Sequence, residues 1–149
     1  MEFRSNDLTN GFDFSTRQEG ETGPNINSDP QIVKPLTNAF NQLIAMVGND
    51  FYSTYSEVTI GNPMRSIIDN QEVNWTDLRL VYNDWRICSL LGGSTSKKLT
   101  IVDIGGGYGG LIGRLKMLYP KAKFISFDLP EVNAAQTWYL SHLFPDANI

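Results

Sequence analysis

Apolar positions change their spacing as the chain proceeds, and the spacing predicts the elements. Leu36, Phe40, Leu43, Ile44 and Val47 recur every three or four residues, the signature of an amphipathic helix, with Gly48 placed to end it. An aromatic stretch, Phe51-Tyr52-Ser53-Thr54-Tyr55, follows, and Glu57-Val58-Thr59-Ile60 then runs into a turn at Gly61-Asn62-Pro63. Leu78, Val81, Trp85, Cys88 and Leu91 form a second helical stripe, capped by Asn74 or Thr76 and stopped at Gly92-Gly93. Beyond it the spacing gives way to a nearly continuous apolar run, Leu99 to Ile104, as expected for a parallel strand buried on both faces. A glycine-rich loop comes next. Leu111, Ile112, Leu115, Leu118 and Tyr119 then predict a helix stopped by Pro120. Residues 123–128 predict a second strand. Pro130 suits the first turn of a third helix, with Val132, Ala135, Tyr139 and Leu143 on its stripe. Pro145-Asp146 breaks that helix, and residues 147–149 read as the start of a third strand.

Strand, glycine loop, helix, strand is a βαβ unit. The predicted fold is therefore α/β: a Rossmann-like, doubly wound parallel sheet, truncated after two to three strands and preceded by a helical segment. So few strands bury themselves poorly, which leads us to expect the N-terminal piece of a longer protein. Three segments are expected: a flexible polar tail over 1–31, a helical N-terminal segment or lid over 32–95, and the start of a ligand-binding domain over 96–149.

Composition narrows the partners. The 149 residues carry 12 basic and 16 acidic side chains, a net charge of −4. Most of the excess lies before residue 36, where six acids face three bases and apolar residues are few. The chain has no long basic block, so nucleic acid is not an expected partner. No apolar run is long enough to span a bilayer. Cys88 is the single cysteine, which excludes an internal disulfide and a multi-cysteine metal site. A cytoplasmic setting is the expectation; no metal-binding residue is assigned, and metal dependence stays open.

The loop carries the chemistry. Gly105, Gly107 and Gly109 fit GxGxG, while Gly105, Gly107 and Gly110 fit GxGxxG, the dinucleotide fingerprint. Such a loop lets backbone N–H groups approach a ligand at the positive end of a helix. Asp128, at the end of the second strand, is placed to accept hydrogen bonds from both ribose hydroxyls of an adenosine, whichever ligand carries it. Asp103 discriminates. It stands two residues before the first glycine, where a pyrophosphate would bring like charge close. At ~4 Å and an effective dielectric of ~20 that costs about 4 kcal/mol. S-adenosylmethionine carries no phosphate but an ammonium and a sulfonium, which an acid favours.

Val102-Asp103-Ile104-Gly105-Gly106-Gly107-Tyr108-Gly109-Gly110 resembles motif I of class I S-adenosylmethionine-dependent methyltransferases. Phe127-Asp128-Leu129-Pro130-Glu131 resembles their second acidic motif, in the form found in small-molecule O-methyltransferases. The chain is most similar to bacterial sugar O-methyltransferases, through the same loop, the Trp138-Tyr139-Leu140 helix, Ile60-Gly61-Asn62-Pro63 and the Tyr82, Trp85, Arg86, Ile87 helix. This resemblance, over roughly residues 55–149, implies S-adenosyl-L-methionine as cofactor and O-methylation of a small-molecule or saccharide acceptor, a sugar hydroxyl above all. The cofactor-binding set it implies is Asp103, Gly105, Gly106, Gly107, Gly109, Asp128 and Leu129. Asp128 holds the ribose and Leu129 flanks the adenine. The catalytic residues and the oligomeric state are not assigned. Two other readings stay open: an NAD-dependent oxidoreductase, and a non-catalytic nucleoside-binding fragment.

Other conspicuous residues have plainer roles. His142, the single histidine, is expected at a helix end away from the ligand edge. Cys88 lies on an apolar stripe, as a small buried hydrophobe does. Tyr82 and Arg86 lie off that stripe and are expected to be solvated or to serve packing, with a place bordering the cofactor pocket as the alternative. Tyr108 is expected to pack under the ligand or over the first helical turn.

Overall fold

The computed structural model describes residues 26–53, 60, 63–92 and 98–147. The expected strand-like run at 57–60 lies outside them apart from Ile60, as do residues 148–149 of the expected third strand and most of the polar tail. The chain forms two compact units, Met1–Tyr82 and Asn83–Ile149.

In the first unit, helix α1 spans Pro30–Val47. The Asp29 side chain accepts the Gln31 N–H at 2.9 Å, and Pro30 occupies the first helical position, where its missing N–H costs nothing. This cap lies inside the segment expected as tail. Ile26 also forms a parallel bridge with Arg65, and the Asn27 N–H donates to the Arg65 carbonyl at 2.6 Å. Within the segment expected as tail, residues 26–31 are thus tied to the rest of this unit by the Asp29 cap and the backbone bridge to Arg65. Gly48 ends α1 at φ 83°, as its position predicts. Helix α2 follows at Asn49–Ser53, and its Tyr52 meets Phe40 of α1 edge-on, ring centroids 5.1 Å apart.

A hairpin replaces part of the expected helical segment. Strands β1 (Ser66–Ile68) and β2 (Gln71–Val73) pair antiparallel through Asp69 and Asn70, which take φ of 49° and 63°. Two consecutive left-handed residues make the turn whose twist matches a hairpin, and Asp and Asn tolerate it best after glycine. Arg65, itself buried, pairs with Glu72 across the strands.

Helix α3 runs Trp75–Leu91 and is capped by Asn74, whose Oδ1 accepts the Asp77 N–H at 2.8 Å. Its predicted stripe faces inward, with Leu78 and Val81 buried and Trp85, Cys88 and Leu91 half-buried.

The second unit is a parallel βαβ. Strand β3 (Thr100–Ile104) and strand β4 (Lys123–Phe127) pair in parallel from Thr100↔Lys123 to Ile104↔Phe127, with helix α4 (Gly110–Leu118) between them and helix α5 (Pro130–Leu143) after. Leu115, Tyr119 and Ala122 form the core, against which Ile87, Cys88, Leu91, Ile101 and Phe124 pack. The sheet departs from expectation on its other face. Val102, Ile104 and Phe127 are 52%, 81% and 58% exposed, so among the described residues the strands are covered on one side only. Strand side chains alternate, and the described helices cover the face of Ile101 and Phe124. Ala147 donates to the Phe144 carbonyl in a turn rather than entering a strand. Among the described residues no helix is long and apolar enough to cross a membrane.

Candidate functional site

The parallel register ends β3 and β4 together, so the loop after Ile104 and the Asp128-Leu129 segment leave the same sheet edge. They are laced to each other. The Gly105 N–H donates to the Phe127 carbonyl at 2.8 Å. The Gly107 N–H donates to Asp128 Oδ2 at 3.0 Å, and the Leu129 N–H to Asp128 Oδ1 at 2.8 Å. The Gly109 N–H donates to the Gly106 carbonyl at 3.3 Å. Asn133 of α5 donates from Nδ2 to the Asp128 carbonyl at 3.1 Å.

This lacing corrects one expectation. The amides of Gly105, Gly107 and Gly109 do not wait for a ligand; each is bonded within the protein. A pyrophosphate is gripped chiefly through loop amides. A loop that has spent three of them, beside two carboxylates, suits a dinucleotide poorly.

The same geometry suits an uncharged or cationic ligand. Gly105 and Gly107 sit at φ 75° and 59°, and a side chain on either would project into open space, so a ligand can lie against their Cα atoms. Gly106 is small for another reason. A Cβ there would stand 2.4 Å from Asp103 Oδ2. That oxygen is fully buried and has no hydrogen-bond partner, and neither has Ser126 Oγ on the paired residue of β4. Burial raises the proton affinity of the Asp103 carboxyl, and the neighbouring Asp128 charge raises it further. A ligand cation beside these acids would relieve both effects. The residues present therefore fit an adenosyl sulfonium with an ammonium group. Leu129, 45% exposed, offers apolar surface on the same edge.

All seven sequence-predicted residues thus fall on one sheet edge. Asp103 and Gly106 form its floor, Gly105, Gly107 and Gly109 its loop, and Asp128 and Leu129 its rim.

Sequence reasoning missed the loop's contacts from α5. Gln136 is 5% exposed, and its Nε2 lies 3.4 Å from the Gly107 carbonyl oxygen. Its signal was a glutamine next to the Val132, Ala135, Tyr139 stripe, where an apolar residue is the default. Also missed was Asp84, fully buried on α3, with no hydrogen-bond partner on either oxygen. Burial pushes its carboxyl up to about 7, against the opposing pull of the buried Arg114 guanidinium on α4.

The remaining residues follow their plainer readings. His142 is exposed, with Nδ1 2.7 Å from the Trp138 carbonyl and its ring 4.3 Å from the Trp138 ring. Cys88 is half-buried, and burial is the main reason its thiol pKa is raised. Tyr108 packs edge-on against Tyr139 of α5, centroids 5.0 Å apart, which fixes the loop to the helix. Among the described residues no group of three or more His, Cys, Asp or Glu could hold a metal ion.

A βαβ unit with acids flanking a glycine loop is a methyltransferase-type arrangement, and comparison with known proteins gives the family. Residues 39–146 match the model of the O-methyltransferase domain, and the chain belongs to that family, one of the class I S-adenosylmethionine-dependent methyltransferases. Such enzymes use S-adenosyl-L-methionine as methyl donor. The chain is 31% identical over 98 residues to acetylserotonin O-methyltransferase of Rattus norvegicus, covering 63% of this chain and 23% of that one. It is 57% identical over 37 residues to desmethylxanthohumol 6′-O-methyltransferase of Humulus lupulus, covering 25% of this chain and 10% of that one. The chain thus spans less than a quarter of the length of these curated relatives. No solved structure matches it at a significant level.

Proposed function

We propose that this chain forms the donor-binding part of an O-methyltransferase that methylates a hydroxyl of a small-molecule acceptor. The observation that carries the reading is the amide-spent, acid-flanked glycine loop at the β3–β4 edge. Asp128 keeps lone pairs free beyond the two amides it accepts, since a carboxylate has about four acceptor sites. Those lone pairs take the ribose hydroxyls. Gly105 and Gly107 let the ligand lie close, Asp103 favours its ammonium, and Leu129 flanks the adenine ring. Gly106 and Gly109 keep the loop closed over Asp103 and α5. When bound, S-adenosyl-L-methionine supplies an activated methyl on a sulfonium, for uptake by an acceptor oxygen. The protein's work is then to position the two reactants in line and to remove the hydroxyl proton.

The acceptor is open to direct test. The motif resemblance favours a saccharide hydroxyl. The two curated relatives carry acetylserotonin and desmethylxanthohumol in their names. Calorimetric titration of the full chain with S-adenosylhomocysteine and, separately, NAD tests the donor site, and an acceptor panel of sugars and phenols tests the rest. Binding of NAD without S-adenosylhomocysteine overturns the reading.

A further inference from the structure

We propose that Gln136 is a positioning residue for this loop: its carboxamide fixes the carbonyl of Gly107, the residue whose N–H Asp128 holds. The proposal rests on the donor-site reading for its consequence in binding, but not for the contact itself.

Gln136 lies on α5 among buried neighbours, Val132, Tyr139 and Leu140, and is itself 5% exposed. A carboxamide is costly to bury unless its polar atoms are bonded. The partner it finds is the Gly107 carbonyl, 3.4 Å from Nε2. The same side chain abuts two further loop residues. Its Cγ would be 2.8 Å from a Cβ on Gly109, and its Nε2 3.0 Å from a Cβ on Gly106. Three loop glycines therefore rest on one glutamine.

Gly107 is consequently held at both ends, its N–H by Asp128 and its carbonyl by Gln136. It is also one of the two loop glycines, with Gly105, that have open space above the Cα. The orientation of this peptide sets the surface a ligand meets. Leucine would fill a similar volume and bond nothing. Glutamate would keep the shape, but it donates only when protonated, and its charge would join those of Asp103 from β3 and Asp128 after β4. Beside the loop also stand the Tyr108 and Tyr139 phenols, packed edge-on against each other.

Gln136→Leu and Gln136→Glu in the full chain test this with two readouts. In the ligand-free protein, hydrogen exchange at the Gly107 and Tyr108 amides should rise on the order of fivefold in Gln136→Leu, with the urea midpoint unchanged. For S-adenosylhomocysteine, Gln136→Leu should raise Kd on the order of fivefold at every pH from 5 to 8. Gln136→Glu should bind weakly at pH 8 and recover toward wild type at pH 5, each value taken relative to wild type at the same pH. Loop exchange unchanged in both variants overturns the proposal. So does a uniform rise in exchange across the chain with a lowered urea midpoint, which marks Gln136 as packing alone. Wild-type protein that fails to bind S-adenosylhomocysteine overturns the donor-site reading instead, and the exchange measurement still decides the role of Gln136.

Discussion

Replacing Asp128 by asparagine changes no volume and removes one charge, which isolates what the carboxylate does. Its two oxygens accept separate amides, Gly107 N–H at 3.0 Å and Leu129 N–H at 2.8 Å. Asparagine has one acceptor oxygen, so whichever way the amide is turned, one backbone N–H faces a donor. One charge-assisted bond is lost, worth about 1.5–3 kcal/mol, and the other falls to a neutral bond near 1 kcal/mol. The residue is half-buried and water compensates in part, so the loss of folding stability should be about 2 kcal/mol. Binding should suffer separately. A ribose hydroxyl deprived of a charged acceptor costs about 1.5–3 kcal/mol, or roughly ten- to hundredfold in Kd. Urea denaturation measures the first quantity and calorimetry with S-adenosylhomocysteine the second. An unchanged urea midpoint together with an unchanged Kd would refute both the lacing and the ribose role. A lowered midpoint with unchanged Kd would leave Asp128 as a brace only.

Gly106→Ala should destabilise by about 1–3 kcal/mol, because the added Cβ would overlap Asp103 Oδ2; pairing it with Asp103→Ala should recover most of that loss in a thermal-melt cycle. Asn70→Val should cost about 1–2 kcal/mol by urea denaturation, since a β-branched residue is forced to φ 63°, whereas Asn70→Gly should be tolerated. Asp84 titrates near 7 in the folded chain against 3.8 unfolded. The folded state therefore holds the extra proton between those values, so stability should fall as pH rises from about 4 to 7 and level off above. Asp84→Asn should flatten that slope in urea midpoints taken across the range, and an equally steep slope in the variant would assign the titration elsewhere.

The βαβ unit was legible because its signals are local and redundant. A continuous apolar strand, a glycine cluster and a proline at a helix start all agree, and each of β3, α4, β4 and α5 appears where the spacing puts it. The acids were legible for the same reason, since strand ends are fixed by the pattern. What escaped was carried by weaker marks. The hairpin depends on Asp69-Asn70, which lacks the glycine that usually announces such a turn. Asp29-Pro30 is a sound helix start, masked by the polar composition around it. Gln136 and Asp84 are polar residues on buried faces. A periodicity argument reads such positions as solvated, because it assigns the inside to apolar residues and cannot see a partner on another element. The fate of the loop amides depends on the register of β4 against β3, which no local pattern encodes.

The spent amides also constrain how such a site can change over evolutionary time. Turning this loop toward dinucleotides would require freeing the Gly107 N–H, and only the loss or displacement of the Asp128 carboxylate does that. On the donor-site reading, the same change would remove the proposed acceptor for the ribose hydroxyls. Asp103 would have to be neutralised as well, yet Gly106 is shaped to its carboxylate and Gln136 leans on the same spot. A single substitution at either acid therefore leaves the other carboxylate in place. On the donor-site reading proposed above, a change of cofactor class would need both acids to change together.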